Sequence, residues 1–89
     1  MKIIWTKHSE QRFKEWQGKL NLTRLEIENI IDKPHQIVPG DLDVLVAQYK
    51  LNNGLLRIPF KYADKNTIVI LTIYWTSKID KYWRKENES

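Results

Sequence analysis

An α+β fold is predicted by the order of two periodicities along the chain. Apolar residues recur at helical spacing through the first third, then in strand-like runs from residue 35 to residue 75. Turn formers separate those runs, and a basic stretch with helical spacing closes the sequence. The expected architecture is a short N-terminal strand, two helices, an antiparallel sheet of about four strands and a short C-terminal helix.

Each element has a local cause. KIIW, residues 2–5, has the β-branched content of a short strand. Thr6 or Ser9 can cap a first helix that runs to about Lys19, with Phe13, Trp16 and Leu20 as its apolar stripe and Gly18 fraying its end. Thr23 and Glu26 have the spacing of a capping box, Leu22 and Ile27 stand at the staple positions, and Ile27, Ile30 and Ile31 make a buried face. Lys33-Pro34 stops this second helix, because the residue before proline is driven out of the helical region. Strands are expected at HQIV (35–38), DVLVAQYKL (43–51), LLRIPFKY (55–62) and TIVILTIYW (67–75). They are joined by Pro39-Gly40, Asn53-Gly54 and ADKN turns. The last strand is apolar on both faces and reads as central. Thr76 or Ser77 can cap the final helix, with Ile79, Tyr82 and Trp83 packing and Lys78, Lys81, Arg84 and Lys85 in solvent.

A two-residue turn at Asn53-Gly54 would fix the hairpin register. Leu51 would face Leu56, Tyr49 would face Ile58, Ala47 would face Phe60 and Leu45 would face Tyr62, giving a consistent core side. The other side would set Lys50 directly against Arg57, with Lys61 on the same face. Like charges across a strand pair are destabilising, which suggests a site built for an anion. Pro59 would fall at a hydrogen-bonded position and cannot donate there, so a bulge or the end of the ladder is expected near it.

The 89 residues suffice for one domain, spanning residues 1–89, with a single core that buries roughly 60–65% of the unfolded surface. The formal charge of +4 suits a phosphate backbone or an acidic protein as partner. The chain contains no cysteine, so disulfides and thiolate metal sites are excluded. His8 and His35 are the only histidines and neither has a carboxylate cluster beside it, so no metal and no cofactor are expected. The apolar run at the N-terminus is too short for a signal peptide or a membrane span, which makes the cytoplasm the expected location and a membrane partner unexpected.

The stretch WTKHSEQRFKEW sets His8, Arg12 and Trp16 four residues apart on one helical stripe. Metal-free RNA cleavage needs a base for the 2′-hydroxyl proton, a cation for the phosphorane and an acid for the departing 5′-oxygen. His8 can act as base or acid, and Arg12, one turn on, can bind two phosphate oxygens. Lys50, Arg57 and Lys61 would hold the flanking backbone, with Lys78 at the start of the last helix adding to them. A tyrosine or tryptophan, with Tyr74 as the named candidate, would stack a base. Each feature also has a purely structural reading. His8 can be a polar residue of the first turn, Arg12 can pair with Glu15, Trp16 can be core, and the sheet cations can keep an edge from pairing.

The Lys-His-x-x-x-Arg pattern at 7–12, the capped helix ending in Lys-Pro, and the strand ending ILTIYW together resemble a family of small bacterial domains of unknown function. That family is grouped with the RelE/ParE and BrnT toxins. The resemblance implies a RelE-like fold of one strand, two helices, a curved antiparallel sheet and a C-terminal helix. It further implies a toxin of a toxin-antitoxin system that cleaves RNA as a metal-independent endoribonuclease by 2′-hydroxyl attack. Its partners would be RNA, an acidic antitoxin protein and, as a further candidate, the ribosome. RelE-like ribonucleases tend to carry a tyrosine or histidine near the C-terminus beside basic sheet residues. This chain has no histidine there, and Tyr82 stands in as the catalytic candidate with Tyr74 behind it. The alternatives are a non-catalytic nucleic-acid-binding or phage-derived regulatory module, and a ParE-like topoisomerase inhibitor.

Overall fold

A computed structural model describes residues 1–85. In chain order the elements are β1 (Lys2–Trp5), α1 (Lys7–Leu20), α2 (Arg24–Asp32), β2 (Gln36–Pro39), β3 (Leu45–Leu51), β4 (Gly54–Asp64), β5 (Thr67–Ile70), β6 (Tyr74–Thr76) and α3 (Ile79–Tyr82). The α+β expectation holds. The sheet has six strands in the order β1-β5-β4-β3-β2, with β6 pairing β4 beside β5. It is mixed: β1 lies parallel to β5, and the remaining pairs are antiparallel. β5 is interior, as its two apolar faces require.

Local chemistry sets the helix ends. Thr6 caps α1 by accepting the Ser9 amide at 3.0 Å, while its hydroxyl donates to the Ile70 carbonyl at 2.9 Å, so one side chain ties the helix start to β5. α1 continues through Gly18 and closes at Asn21, which takes the left-handed conformation with φ 55°. The capping box of α2 forms as expected, with Thr23 accepting the Glu26 amide and Glu26 accepting the Thr23 amide. Both helices cover one face of the sheet. Leu20, Ile27, Ile30 and Ile31 pack there against Ala47, Leu56, Ile58, Phe60 and Ile70. The C-terminal segment lies across part of the opposite face, where Val38, Val46, Leu55 and Gln48 are buried.

The register of the central hairpin corrects the expectation. Leu51 pairs with Gly54, Tyr49 with Leu56, Ala47 with Ile58 and Gln48 with Arg57. The turn is Asn52-Asn53, with φ 52° and 61°, and both positive values fit a type I′ turn. Asparagine tolerates this region, so the glycine is not needed for the turn. It is needed for packing: a Cβ on Gly54 would stand 2.4 Å from the Thr76 carbonyl oxygen and 2.5 Å from the Trp75 ring. The shift is two residues, which preserves the faces. Lys50 and Arg57 therefore share a side but sit diagonally, with Lys50 opposite Leu55.

The expected last strand is two strands. Residues 71–73 interrupt it next to Pro59, whose carbonyl accepts from the Leu71 amide at 2.9 Å. The irregularity required near the proline is thus in its neighbour. The β2–β3 turn also falls later than expected, since Pro39 ends β2 and the chain reverses through residues 40–44, with the Gly40 amide donating to the Val44 carbonyl at 2.8 Å.

Gly54 and Gly18 give opposite expectations. Gly54→Ala should cost about 1–3 kcal/mol, because the added methyl meets backbone and an indole held in place. Gly18→Ala, with nothing within 4 Å, should stabilise by about 0.5–1 kcal/mol through helix propensity and the unfolded chain's entropy. Denaturant midpoints of the two variants check both signs.

A candidate anion site on the sheet face opposite the helices

The observed register lines up four polar side chains across four strands. Gln36 pairs with Gln48, Gln48 with Arg57, and Arg57 with Tyr74. All four project from the face away from the helices, since alternation puts Ala47, Leu56 and Ile58 on the other. Their side chains bond in sequence. Gln48 Nε2 donates to Gln36 Oε1 at 2.9 Å, Arg57 Nε donates to Gln48 Oε1 at 2.7 Å, and an Arg57 terminal nitrogen donates to the Tyr74 hydroxyl.

The C-terminal segment closes over this row. Gln48 Nε2 also donates to the Tyr82 carbonyl at 3.1 Å. Gln36 accepts the Arg84 amide at 3.0 Å and donates to the Arg84 carbonyl at 2.6 Å, so its side-chain amide pairs with Arg84 as a neighbouring strand would. Gln48 is fully buried and every polar group it carries is used, which is what makes its burial tolerable. The Tyr82 ring stacks on the guanidinium of Arg57 with 4.1 Å between them, and the ammonium of Lys50 lies 4.3 Å from the Trp83 ring.

Arg57 is the centre of the arrangement. It is half-buried, and its partners are a neutral amide oxygen, a phenol oxygen and an aromatic face. Among the described residues the ion pairs are Arg12–Glu15 and Arg24–Glu10, so no carboxylate neutralises Arg57. Buried charge is normally paired. Two of the five guanidinium donors are committed, and the residue lines an open groove of about 290 Å³ with Gly40, Asp41, Val44, Val46 and Pro59. The Tyr74 hydroxyl accepts from Arg57, which leaves its own proton free to be donated elsewhere.

The other expected site residues are distributed as follows. Lys61 shares the face of Arg57 but pairs with Val69, four residues along β4 and so about 13 Å away. Lys78 is exposed just before α3, and its amide donates to the Thr76 hydroxyl at 3.1 Å. His8 and Arg12 do not join this group. Both are exposed on α1, which packs on the other face of the sheet through Phe13, Trp16 and Leu20. Arg12 pairs with Glu15 at 2.9 Å. The convergence of His8 and Arg12 with the sheet cations is therefore absent from this structure. His35 Nδ1 accepts the Lys50 amide at 3.0 Å and its ring stacks on Tyr49 at 4.0 Å, completing the sheet ladder beyond the end of β2. Among the described residues no group of three or more His, Cys, Asp or Glu could hold a metal ion, and no helix is long and apolar enough to cross a membrane.

Sequence reasoning missed Gln36 and Gln48. The one available signal was a glutamine between Ala47 and Tyr49, inside the largely apolar run LVAQY, at a position whose burial demands partners. Gln48→Leu keeps the volume but strands Arg57 Nε and the Tyr82 carbonyl, and should cost about 1–3 kcal/mol for each group left unpaired. His8→Ala and Arg12→Ala should each stay within about 0.5 kcal/mol of the parent, since the residues are exposed and the Arg12–Glu15 pair is a surface one. Equilibrium unfolding of the three variants measures the contrast.

Comparison of the chain with protein-family models, curated proteins and solved structures found no match.

Proposed function

We propose that this protein binds single-stranded RNA on the sheet face opposite its helices, as an RNA-directed toxin-like domain, with Arg57 as the principal phosphate anchor. The observation that carries this reading is the half-buried guanidinium of Arg57, which forms no ion pair among the described residues and is held at Nε by Gln48 and at one terminal nitrogen by Tyr74, in a residue that lines an open groove. Such a fork is pre-organised for phosphate oxygens, because its orientation is fixed before the anion arrives. Lys50, Lys61 and Lys78 supply further charge, and the aromatic residues Tyr82 and Trp83 at the same face suit unstacked bases. An acidic antitoxin would neutralise the protein by covering these cations, and the cytoplasm is the compartment where such a pair would act.

Catalysis is a second reading, and the Tyr74 hydroxyl favours it. In metal-independent cleavage the 2′-hydroxyl gives its proton to solvent water as its oxygen attacks phosphorus, the bond from phosphorus to the 5′-oxygen breaks, and a 2′,3′-cyclic phosphate and a 5′-hydroxyl form. Arg57 would stabilise the phosphorane and Tyr74 would protonate the departing 5′-oxygen, with Tyr82 holding the guanidinium in place. His8, across the sheet, has no part in that arrangement.

Titrating a labelled single-stranded RNA at several salt concentrations tests the primary reading. Arg57→Ala should weaken binding and reduce the slope of log affinity against log salt by about 0.7, the contribution of one single-strand phosphate contact. Unchanged affinity and slope would remove Arg57 from the interface. Loss of cleavage with retained binding in Tyr74→Phe would support the catalytic reading, and a wild-type protein that binds RNA without cutting it would leave the binding module alone.

A further inference from the structure

Asp41 is out of place on a surface that binds phosphate. It lies in the β2–β3 turn and lines the groove that Arg57 also lines. Its carbonyl accepts the Val44 amide at 2.9 Å, which fixes the backbone of the turn. Among the described residues its carboxylate forms no ion pair, with Arg57 or with any other cation. A carboxylate beside an anion-binding cation weakens phosphate binding unless it accepts hydrogen bonds from the same ligand.

The rest of the groove indicates what that ligand is. Val44, Val46 and Pro59 bring apolar residues to its lining, and Gly40 and Arg57 line it with Asp41. This is the composition of a site for a flat, partly apolar group that carries hydrogen-bond donors and is joined to a phosphate. Of the four RNA bases, guanine alone presents two adjacent donors, N1–H and the N2 amino group, along its Watson–Crick edge. The two oxygens of a carboxylate match that pair. Adenine and cytosine place an acceptor beside their donor, and uracil flanks its single donor with two carbonyl oxygens, so each would set a lone pair against Asp41.

We infer that the groove is a guanine subsite: Asp41 accepts from N1–H and N2–H of one unstacked guanine while Arg57 holds the adjoining phosphate. The inference rests on the RNA-binding reading and deepens it by naming the base that is read. Arg57 supplies affinity for any sequence, and Asp41 supplies the choice among sequences.

The experiment measures binding of three heptamers, UUUGUUU, UUUAUUU and UUUIUUU with inosine, to the full chain at one fixed salt concentration. The wild type should bind the guanine heptamer about 5- to 150-fold more tightly than the adenine one, the range expected of a bidentate base contact. Inosine, which keeps N1–H and lacks the N2 amino group, should fall between. Asp41→Asn should abolish the guanine preference, because its amide turns a donor toward guanine's donors, while Arg57→Ala should weaken all three heptamers by a common factor. A wild type without guanine preference overturns the inference, as does an Asp41→Asn protein that retains the preference or gains affinity equally for all three. In those cases a uniform loss in Arg57→Ala would leave the phosphate site standing. If Arg57→Ala changes nothing, or if no heptamer binds, the phosphate site and the guanine subsite fall together.

Discussion

The hydrogen bond from Arg57 Nε to Gln48 Oε1 is the contact on which the organisation of the sheet's second face depends. It occupies the oxygen of a buried amide and so dictates that the amide nitrogen point the other way, toward Gln36 and the Tyr82 carbonyl. The C-terminal segment is thereby anchored at Tyr82 and again at Arg84, and the Tyr82 ring is delivered onto the guanidinium that began the chain of bonds. Each member is satisfied only because the next is in place, the condition under which a buried polar network adds rigidity rather than cost. The hydrogen bond exists only in the register set by Asn52-Asn53. With the turn at Asn53-Gly54, Gln48 would have faced Pro59.

Charge is divided between the two faces in a way that net charge conceals. α1 and α2 carry Glu10, Glu15, Glu26, Glu28 and Asp32 against Lys7, Arg12, Lys14, Lys19 and Arg24, and two of these cations are engaged by carboxylates: Arg12 with Glu15, and Arg24 with Glu10 while also lying over the Trp5 ring at 4.4 Å. Glu28 accepts from the Trp5 indole at 2.8 Å. On the opposite face Arg57 and Lys50 lie against aromatic rings and neutral acceptors. A ring offers a cation attraction without neutralising it, so these charges remain available to an anion while the helix-side ones are largely offset locally.

What could be read from the sequence was what short-range chemistry decides. The capping box at Thr23 and Glu26, the Thr6 cap, the stop at Lys33-Pro34 and the isoleucine face of α2 depend on residues within one or two turns of each other, and all appear in the structure. The hairpin register was not legible, because Asn52-Asn53 and Asn53-Gly54 are both compatible with a type I′ turn. The choice is made by residues far along the chain: Thr76 and Trp75 press against residue 54 and leave room for no side chain there. The side of the sheet on which His8 and Arg12 lie was equally hidden. Helical spacing correctly put the two on one stripe, but the face a helix covers is set by Phe13, Trp16 and Leu20 meeting strands some 40 to 60 residues away.

Pro59 shows how a single missing donor reaches the site. The nitrogen and carbonyl of a strand residue point the same way, and the Pro59 carbonyl points to Leu71, so an amide there would have faced the strand that carries β5 and β6. That strand breaks where the donor is lacking. Between the Phe60–Ile70 and Arg57–Tyr74 pairs, residues 58 and 59 of β4 stand against residues 71, 72 and 73, one more on the partner side. An extra residue reverses the alternation of all that follows. Ile70 and Ile73 both point into the core, Trp75 continues on that side, and Tyr74 turns to the other. In an unbroken strand from Thr67, Tyr74 would share the core side with Ile68 and Ile70, and Arg57 would lose its hydroxyl partner. The proline thus determines the phase of the last strand, the phase determines which aromatic residue meets Arg57, and the geometry of the candidate site follows from a backbone constraint two residues away from its central cation.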